Sequence, residues 1–262
     1  MARVVASARL PAPVAEILGP EHQLIEPERE LPRDQLLAHL RDARGLISLL
    51  TVAVDDELLS AAPELLVVAN YAVGYDNVDV AAATARGIAV CNTPDVLTEA
   101  TADLAFALLL AAARRLGEGD RLVRSLSWDG WFPDQLLGQP VAGKTLGIIG
   151  LGRIGQAVAR RAQGFAMPLV YSGPRPVAAA ASLGAEHASL DEVCARADFI
   201  SIHCPLTDAT HHLIDEPVLA AMKPTAVLVN TARGAIVDEA ALVRVLARGH
   251  LGGVGLDVYE RE

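Results

Sequence analysis

The chain has 262 residues, enough for one large or two moderate domains, and its 52% hydrophobic and 21% charged content is that of a globular rather than a disordered protein. A formal net charge of −10 argues against nucleic acid or an anionic membrane as partner. The three cysteines, Cys91, Cys194 and Cys204, show neither metal-ligand spacing nor an even disulfide framework, and the chain opens directly into an apolar run, so the cytoplasm is the expected compartment.

Short apolar runs at 3–7, 23–25, 46–50, 65–70 and 88–92 read as strands, with helical spacing between them at 14–18, 34–40, 55–61 and 78–86. Such alternation predicts a parallel sheet with helices on both faces. Its ligand edge lies at the carboxyl ends of the strands, where Thr51 and the loop Tyr71-Ala72-Val73-Gly74-Tyr75 fall. Gly74 either lets backbone N–H groups face a small anion or is a plain turn glycine.

Thr93-Pro94-Asp95 breaks the pattern, and a helix is predicted over 98–115. The domain boundary is placed here, giving a substrate domain at 1–98 and a cofactor domain at 99–262. The apolar run 104–113 inside that helix is far shorter than a membrane span. Residues 125–140 have no clear period and carry Trp128, Trp131 and Phe132. They form a homodimer contact, a lid or a packed surface loop.

The stretch 144–166 is the most informative. A strand-length run at 145–149 leads into Gly150-x-Gly152-x-x-Gly155, and Ile154, Val158, Ala162 and Phe165 follow at helical spacing. In a dinucleotide site, the first glycine makes the tight turn and the second lets backbone approach a pyrophosphate. The third packs helix against strand, and the helix N-terminus holds the diphosphate. The other reading is a glycine-rich structural turn. Further strands are predicted at 169–171, 199–203, 226–230 and 254–258. Helices between them fall at 190–196, 216–221 and 239–248, the last capped by Asp238 and closed by Gly249.

Arg233, in Asn230-Thr231-Ala232-Arg233-Gly234, falls just past a predicted strand end. An arginine there binds a carboxylate in a bidentate fork and polarises the adjacent carbonyl, or is simply a surface arginine. Asp257 either accepts from a nicotinamide amide or caps a loop.

Several ordered motifs then converge: Tyr71 through Asp79, Gly150 through Gly155, His203-Cys204-Pro205-Leu206-Thr207, Met222-Lys223-Pro224, Asn230 through Gly234 and Gly255-Leu256-Asp257-Val258. Together they resemble the D-isomer-specific 2-hydroxyacid dehydrogenase family, most of all its glyoxylate/hydroxypyruvate reductases, over nearly the whole chain. The resemblance implies two doubly wound α/β domains, a flavodoxin-like substrate domain and a Rossmann cofactor domain. It implies reduction of a small 2-oxo acid to the 2-hydroxy acid by an NAD(P)-dependent enzyme. By the same resemblance Arg233 binds the substrate carboxylate and carbonyl, and Val73 and Gly74 hold the carboxylate through backbone N–H groups. The implied cofactor contacts are Thr101, Gly150, Leu151, Gly152, Arg153, Ile154, Gly155, Ser172, Gly173, Arg175, Cys204, Pro205, Thr231, Ala232 and Asp257.

The family's catalytic glutamate carries over to Glu262, which read by itself is a solvated terminus. The family's general acid is a histidine beyond that glutamate, and none of this chain's histidines sits in the matching motif; His203 is read as structural. The chain is therefore expected to be C-terminally truncated, to bind cofactor, and to have little reductase activity by itself. Cofactor choice rests on Tyr171-Ser172-Gly173-Pro174-Arg175. No acid repels a 2′-phosphate there and Arg175 is placed to pair with one, which favours NADP(H) over NAD(H) unless Arg175 is a solvated loop residue. Two other classes remain open: a dinucleotide-sensing binding protein of the corepressor type on the same fold, and a phosphite- or formate-oxidising relative.

Overall fold

The computed structural model describes residues 1–11 and 13–261. Contacts divide the chain into two units, Met1–Val96 and Leu97–Glu262. No helix among the described residues is long and apolar enough to cross a membrane.

The first unit runs β1 (Ala2–Ala6), α1 (Val14–Leu18), β2 (His22–Ile25), α2 (Arg33–Leu40), β3 (Gly45–Ser48), α3 (Asp56–Ala61), β4 (Val67–Asn70), α4 (Val80–Ala85) and β5 (Ala89–Cys91). All strands pair in parallel in the order β2-β1-β3-β4-β5, the flavodoxin-like doubly wound arrangement. Leu36, Leu40, Leu58 and Leu59 from the helices pack with Val5, Leu46 and Val68 from the strands in one buried cluster. Each fully buried side chain of this size contributes roughly 1.5–3 kcal/mol. Asp55 and Asp79 cap α3 and α4, accepting from the N–H groups of Leu58 and Ala82.

The register matters more for function than the core does. Ala6 pairs with Ile47, Ile47 with Ala69, and Ala69 with Cys91. The next residue along each strand therefore falls in one row at the carboxyl edge: Ser7, Ser48, Asn70 and Asn92. Ser7, Ser48 and Asn70 are buried polar residues, which hydrogen bonds must satisfy.

The second unit begins with α5 (Thr98–Ala113) and α6 (Leu116–Arg124). It continues through β6 (Leu146–Ile149), α7 (Arg153–Gln163), β7 (Leu169–Ser172), α8 (Ala180–Leu183), β8 (Ala185–His187), α9 (Leu190–Arg196), β9 (Phe199–Ile202), α10 (Glu216–Ala221) and β10 (Val227–Asn230). A 3-10 turn (Gly234–Ile236), α11 (Glu239–Ala247) and β11 (Gly253–Leu256) complete it. Its six parallel strands are ordered β11-β10-β9-β6-β7-β8, the dinucleotide-binding form of the doubly wound sheet. The strands read as unbroken apolar runs because both faces are covered. Val227 and Val229 join the cluster built on Phe106, Leu109 and Val158, while Leu228 between them joins the one built on Leu219, Leu242 and Val245.

Three features differ from the sequence reading. The helix predicted over 98–115 stops at Ala113, and Arg115, at φ 56, turns the chain into the separate helix α6. Arg115 reads as a helix former, so nothing in the local sequence signals the break. The short strand β8 and helix α8 were not expected. The last strand ends at Leu256, so Asp257 lies one residue beyond it. Residues 125–140 contain no helix or strand, and Trp128, Trp131 and Phe132 are all exposed.

Candidate active site

Register again builds the site in the second unit. Ile149 pairs with Ser172 on one side and Ile202 on the other; Ile202 pairs with Asn230, and Asn230 with Leu256. The residues that follow these strand ends, Gly173, Gly150, His203, Thr231 and Asp257, thus stand in one row along the carboxyl edge. Connections leave β6 for β7 on one side and return to β9 on the other, so the crevice beside Gly150 is the topological switch point where ligands of such sheets bind.

Gly150 is required here. Its φ is +94, and a Cβ would stand 2.7 Å from Cys204 N and 2.9 Å from Cys204 Cα. The turn is thereby pressed against the end of β9, and α7 starts immediately after it. A cleft of about 420 Å³ opens beside the turn. Of the cofactor residues expected from the sequence, Gly150, Leu151, Gly152, Ser172, Gly173, Arg175, Cys204 and Pro205 line it. Arg153, Ile154 and Gly155 form the first turn of α7 behind the glycines, and Thr101 sits in the first turn of α5. Thr231, Ala232 and Asp257 stand farther along the edge and do not line the cleft.

The cleft also takes in Tyr171 and Pro174, from the segment on which cofactor choice was read, and His203, whose place at a strand end belongs to the cofactor wall in the family's pattern. Val177, Thr210 and Leu213 line it too and carried no sequence expectation. Tyr171 carried a signal in retrospect, as an aromatic ending a strand next to a Gly-Pro loop. Its hydroxyl accepts from Val177 N at 2.9 Å. His187 Nε2 pairs with Gly173 O at 3.1 Å, and its ring packs on Tyr171 at a centroid distance of 5.0 Å. The loop bearing Arg175 is thus pinned at both ends. Thr210 Oγ1 donates to Pro205 O at 2.7 Å and holds the opposite wall.

His203 and Cys204 are poor proton donors or nucleophiles in this setting. Burial holds the His203 imidazole down at about 4 and pushes the Cys204 thiol up to about 11. His203 Nε2 is occupied by Ser201 Oγ at 2.8 Å.

Beyond Thr231, Asn230 shapes the arginine loop. This 1% exposed side chain accepts from Ala232 N at 3.0 Å and donates to Arg233 O at 2.8 Å, closing the turn that delivers Arg233. Arg233 Nη1 also donates to Ala232 O at 2.8 Å. The backbone of Tyr259 and Glu260 packs on Gly234, next to that arginine. Glu262 lies outside the described residues. Among the described residues the hydroxyl of Thr231 is buried without a hydrogen-bond partner.

Val73 and Gly74 belong to the first unit. Their loop leaves β4 at Asn70 and is held by Asn70 Nδ2 on Gly74 O and Asn92 Nδ2 on Val73 O, both at 2.8 Å.

The second unit is suited to a dinucleotide. A positive-φ glycine clears the turn, nothing lies within 4 Å of where a Gly152 Cβ would be, and an apolar cleft continues toward a polar strand-end row. The fold and site thus define a dinucleotide-binding protein, and its likeness to known proteins makes it an NAD(P)-dependent oxidoreductase. A family model for the D-isomer specific 2-hydroxyacid dehydrogenase NAD binding domain matches residues 106–262, and the chain belongs to that family. It is 52% identical to a glyoxylate reductase of Pyrococcus furiosus over 247 residues, covering 92% of this chain and 74% of that protein. A solved protein of Thermus thermophilus superposes with a TM-score of 0.92 at 46% identity, covering 99% of this chain and 83% of that one. The NADPH-dependent glyoxylate/hydroxypyruvate reductase of Sinorhizobium meliloti, solved with NADP and malonate, superposes with a TM-score of 0.86 at 38% identity, covering 100% of this chain and 80% of its own.

Proposed function

We propose that the protein is a cytoplasmic glyoxylate/hydroxypyruvate reductase that prefers NADPH to NADH. The observation that carries this reading is the 52% identity with a glyoxylate reductase over 92% of the chain. Gly150, Gly152 and the start of α7 hold the diphosphate, and Thr231 and Asp257 face the nicotinamide end. Arg175 pairs with the 2′-phosphate from a loop that Tyr171 and His187 keep in place. The NADPH dependence of the Sinorhizobium relative supports this choice. When bound, the reduced nicotinamide supplies the hydride that the substrate's carbonyl carbon accepts.

Arg233 grips the 2-oxo acid through a planar fork and stabilises negative charge growing on the carbonyl oxygen. Val73 and Gly74 hold the carboxylate through N–H groups, and Glu262 acts as the carboxylate that orients a general-acid histidine. The exposed aromatics at Trp128, Trp131 and Phe132 pack against a second copy of the chain.

The test is NADPH oxidation on addition of glyoxylate or hydroxypyruvate. Turnover is read in the 262-residue chain beside a version continued past Glu262 through a histidine. Arg233→Lys keeps the charge and loses the fork, so turnover should fall by orders of magnitude while NADPH affinity changes little. Near-normal turnover in that variant would mean that another residue holds the carboxylate. Cofactor binding with no turnover of any 2-oxo acid in either version would favour a dinucleotide sensor.

A further inference from the structure

Three successive carbonyls in the loop after β4 are fastened. Ala72 O accepts from Thr93 N at 2.9 Å, Val73 O from Asn92 Nδ2 at 2.8 Å, and Gly74 O from Asn70 Nδ2 at 2.8 Å. A trans peptide is planar, so its C=O and N–H point in opposite directions. Peptide units 72–73 and 73–74 both aim their carbonyls at the segment 92–93. The N–H groups of Val73 and Gly74 are therefore turned together, away from that segment. Neither donates to an acceptor among the described residues, and neither residue is buried.

The fastening is rigid at its base. Asn70, 1% exposed, accepts from Ser48 Oγ at 3.0 Å and exchanges a reciprocal pair of 3.1 Å bonds with Asn77. Asn77 in turn donates to Val52 O at 2.9 Å and Leu49 O at 3.2 Å. Every donor and acceptor of the Asn70 amide is used, so its orientation is fixed.

We propose that Asn92 and Asn70 are positioning residues. Asn92 holds the Val73 carbonyl and so sets the 73–74 plane that carries the Gly74 N–H, beside the 72–73 plane held by Thr93 N. Asn70 anchors the next carbonyl, Gly74 O, and keeps the loop in place. The Val73 and Gly74 N–H groups thereby form a paired site for the substrate carboxylate. The assignment rests on the carboxylate reading given above. Without Asn92 the 73–74 peptide is free to turn, and its carbonyl then faces the anion and repels it.

Oxamate, a 2-oxo acid isostere that is not reduced, tests this on NADPH-saturated protein. Binding is followed through the amide resonances of Val73 and Gly74. In the unmutated protein both amides should shift as oxamate binds. In Asn92→Ala both should already be displaced without oxamate, and oxamate should bind about tenfold more weakly, the loss expected for one well-placed donor pointing at a charge. NADPH affinity and melting temperature should stay close to those of the unmutated protein, which a loss of folding would not allow. Asn92→Leu, which keeps a branched side chain of similar shape and removes the donor, carries the same test should the alanine form fail to fold. Unchanged oxamate affinity in these variants, with Val73 and Gly74 still responding, overturns the positioning role and leaves the carboxylate reading standing. An unmutated protein whose Val73 and Gly74 amides ignore oxamate overturns both.

Discussion

Replacing Gly155 and Gly152 by alanine, one at a time, separates the packing of the glycine-rich turn from its use. A Cβ on Gly155 would run into the Gly150 carbonyl oxygen and stand 3.2 Å from Ile148 Cγ2. The obstacle is backbone, and the turn cannot retreat because Gly150 is already pressed against Cys204. Relief must come from lifting the first turn of α7, whose Ala157, Val158 and Ala162 are at most 1% exposed. Overpacking of this kind costs about 1–3 kcal/mol. Because the obstacle is backbone, the upper end of that range applies; alanine's better helix propensity returns about 1 kcal/mol, leaving a net loss of about 2 kcal/mol. NADPH should bind more weakly as well, since the helix start that meets the diphosphate has moved. Gly152 behaves differently. Nothing lies within 4 Å of its Cβ position, and its φ of −78 is open to any residue. Gly152→Ala should change stability by less than about 0.5 kcal/mol. Its methyl, however, would stand where the diphosphate approaches and should weaken NADPH by roughly tenfold or more. Urea denaturation followed by circular dichroism measures the first effect and NADPH fluorescence titration the second. A Gly155→Ala protein as stable as the unmutated one would refute the packing argument. Normal NADPH affinity in Gly152→Ala would refute the placement of the diphosphate.

The other predictions use the same cleft and the buried groups around it. NADPH should bind more tightly than NADH, and Arg175→Ala should narrow the gap by weakening only NADPH; equal affinities in the unmutated protein would refute the cofactor choice. Burial holds His203 at about 4, below its ordinary 6.5, so the unfolded chain takes up the extra proton between those values. The stability contributed by keeping the ring neutral is complete above the unfolded value and is lost as pH falls toward about 4. His203→Gln should flatten the fall in urea midpoint across that window by up to one proton's worth of slope, and an unaltered slope would refute the burial argument. Burial also pushes the thiols of Cys194 and Cys204 to about 12 and about 11, while Cys91 is exposed. Alkylation of the folded protein near neutral pH should therefore modify Cys91 first, Cys204 in the cleft wall more slowly, and the buried Cys194 only on unfolding. Labelling of Cys204 as fast as Cys91, read by peptide mass spectrometry, would refute the upward push on the Cys204 thiol.

The sequence by itself determined what neighbouring residues decide. Strand 145–149, the glycines at 150, 152 and 155 and the helical spacing after them form one local pattern whose parts lie within a turn or two of each other. The strands of the second unit were legible because burial on both faces makes them continuous apolar runs. Tertiary structure decided the rest. Ala185–His187 carries no strand signal and becomes one by pairing with Leu169, Val170 and Tyr171. That pairing also brings His187 onto Gly173, fourteen residues away, to pin the loop of Arg175. The 73–74 peptide plane is held by Asn92, nineteen residues from Val73. The Asn70 amide on the Gly74 carbonyl is fixed by Asn77, whose own amide bonds Leu49, twenty-eight residues away. Periodicity records which face of an element is buried, whereas such bonds exist only once parallel register has set distant strand ends side by side.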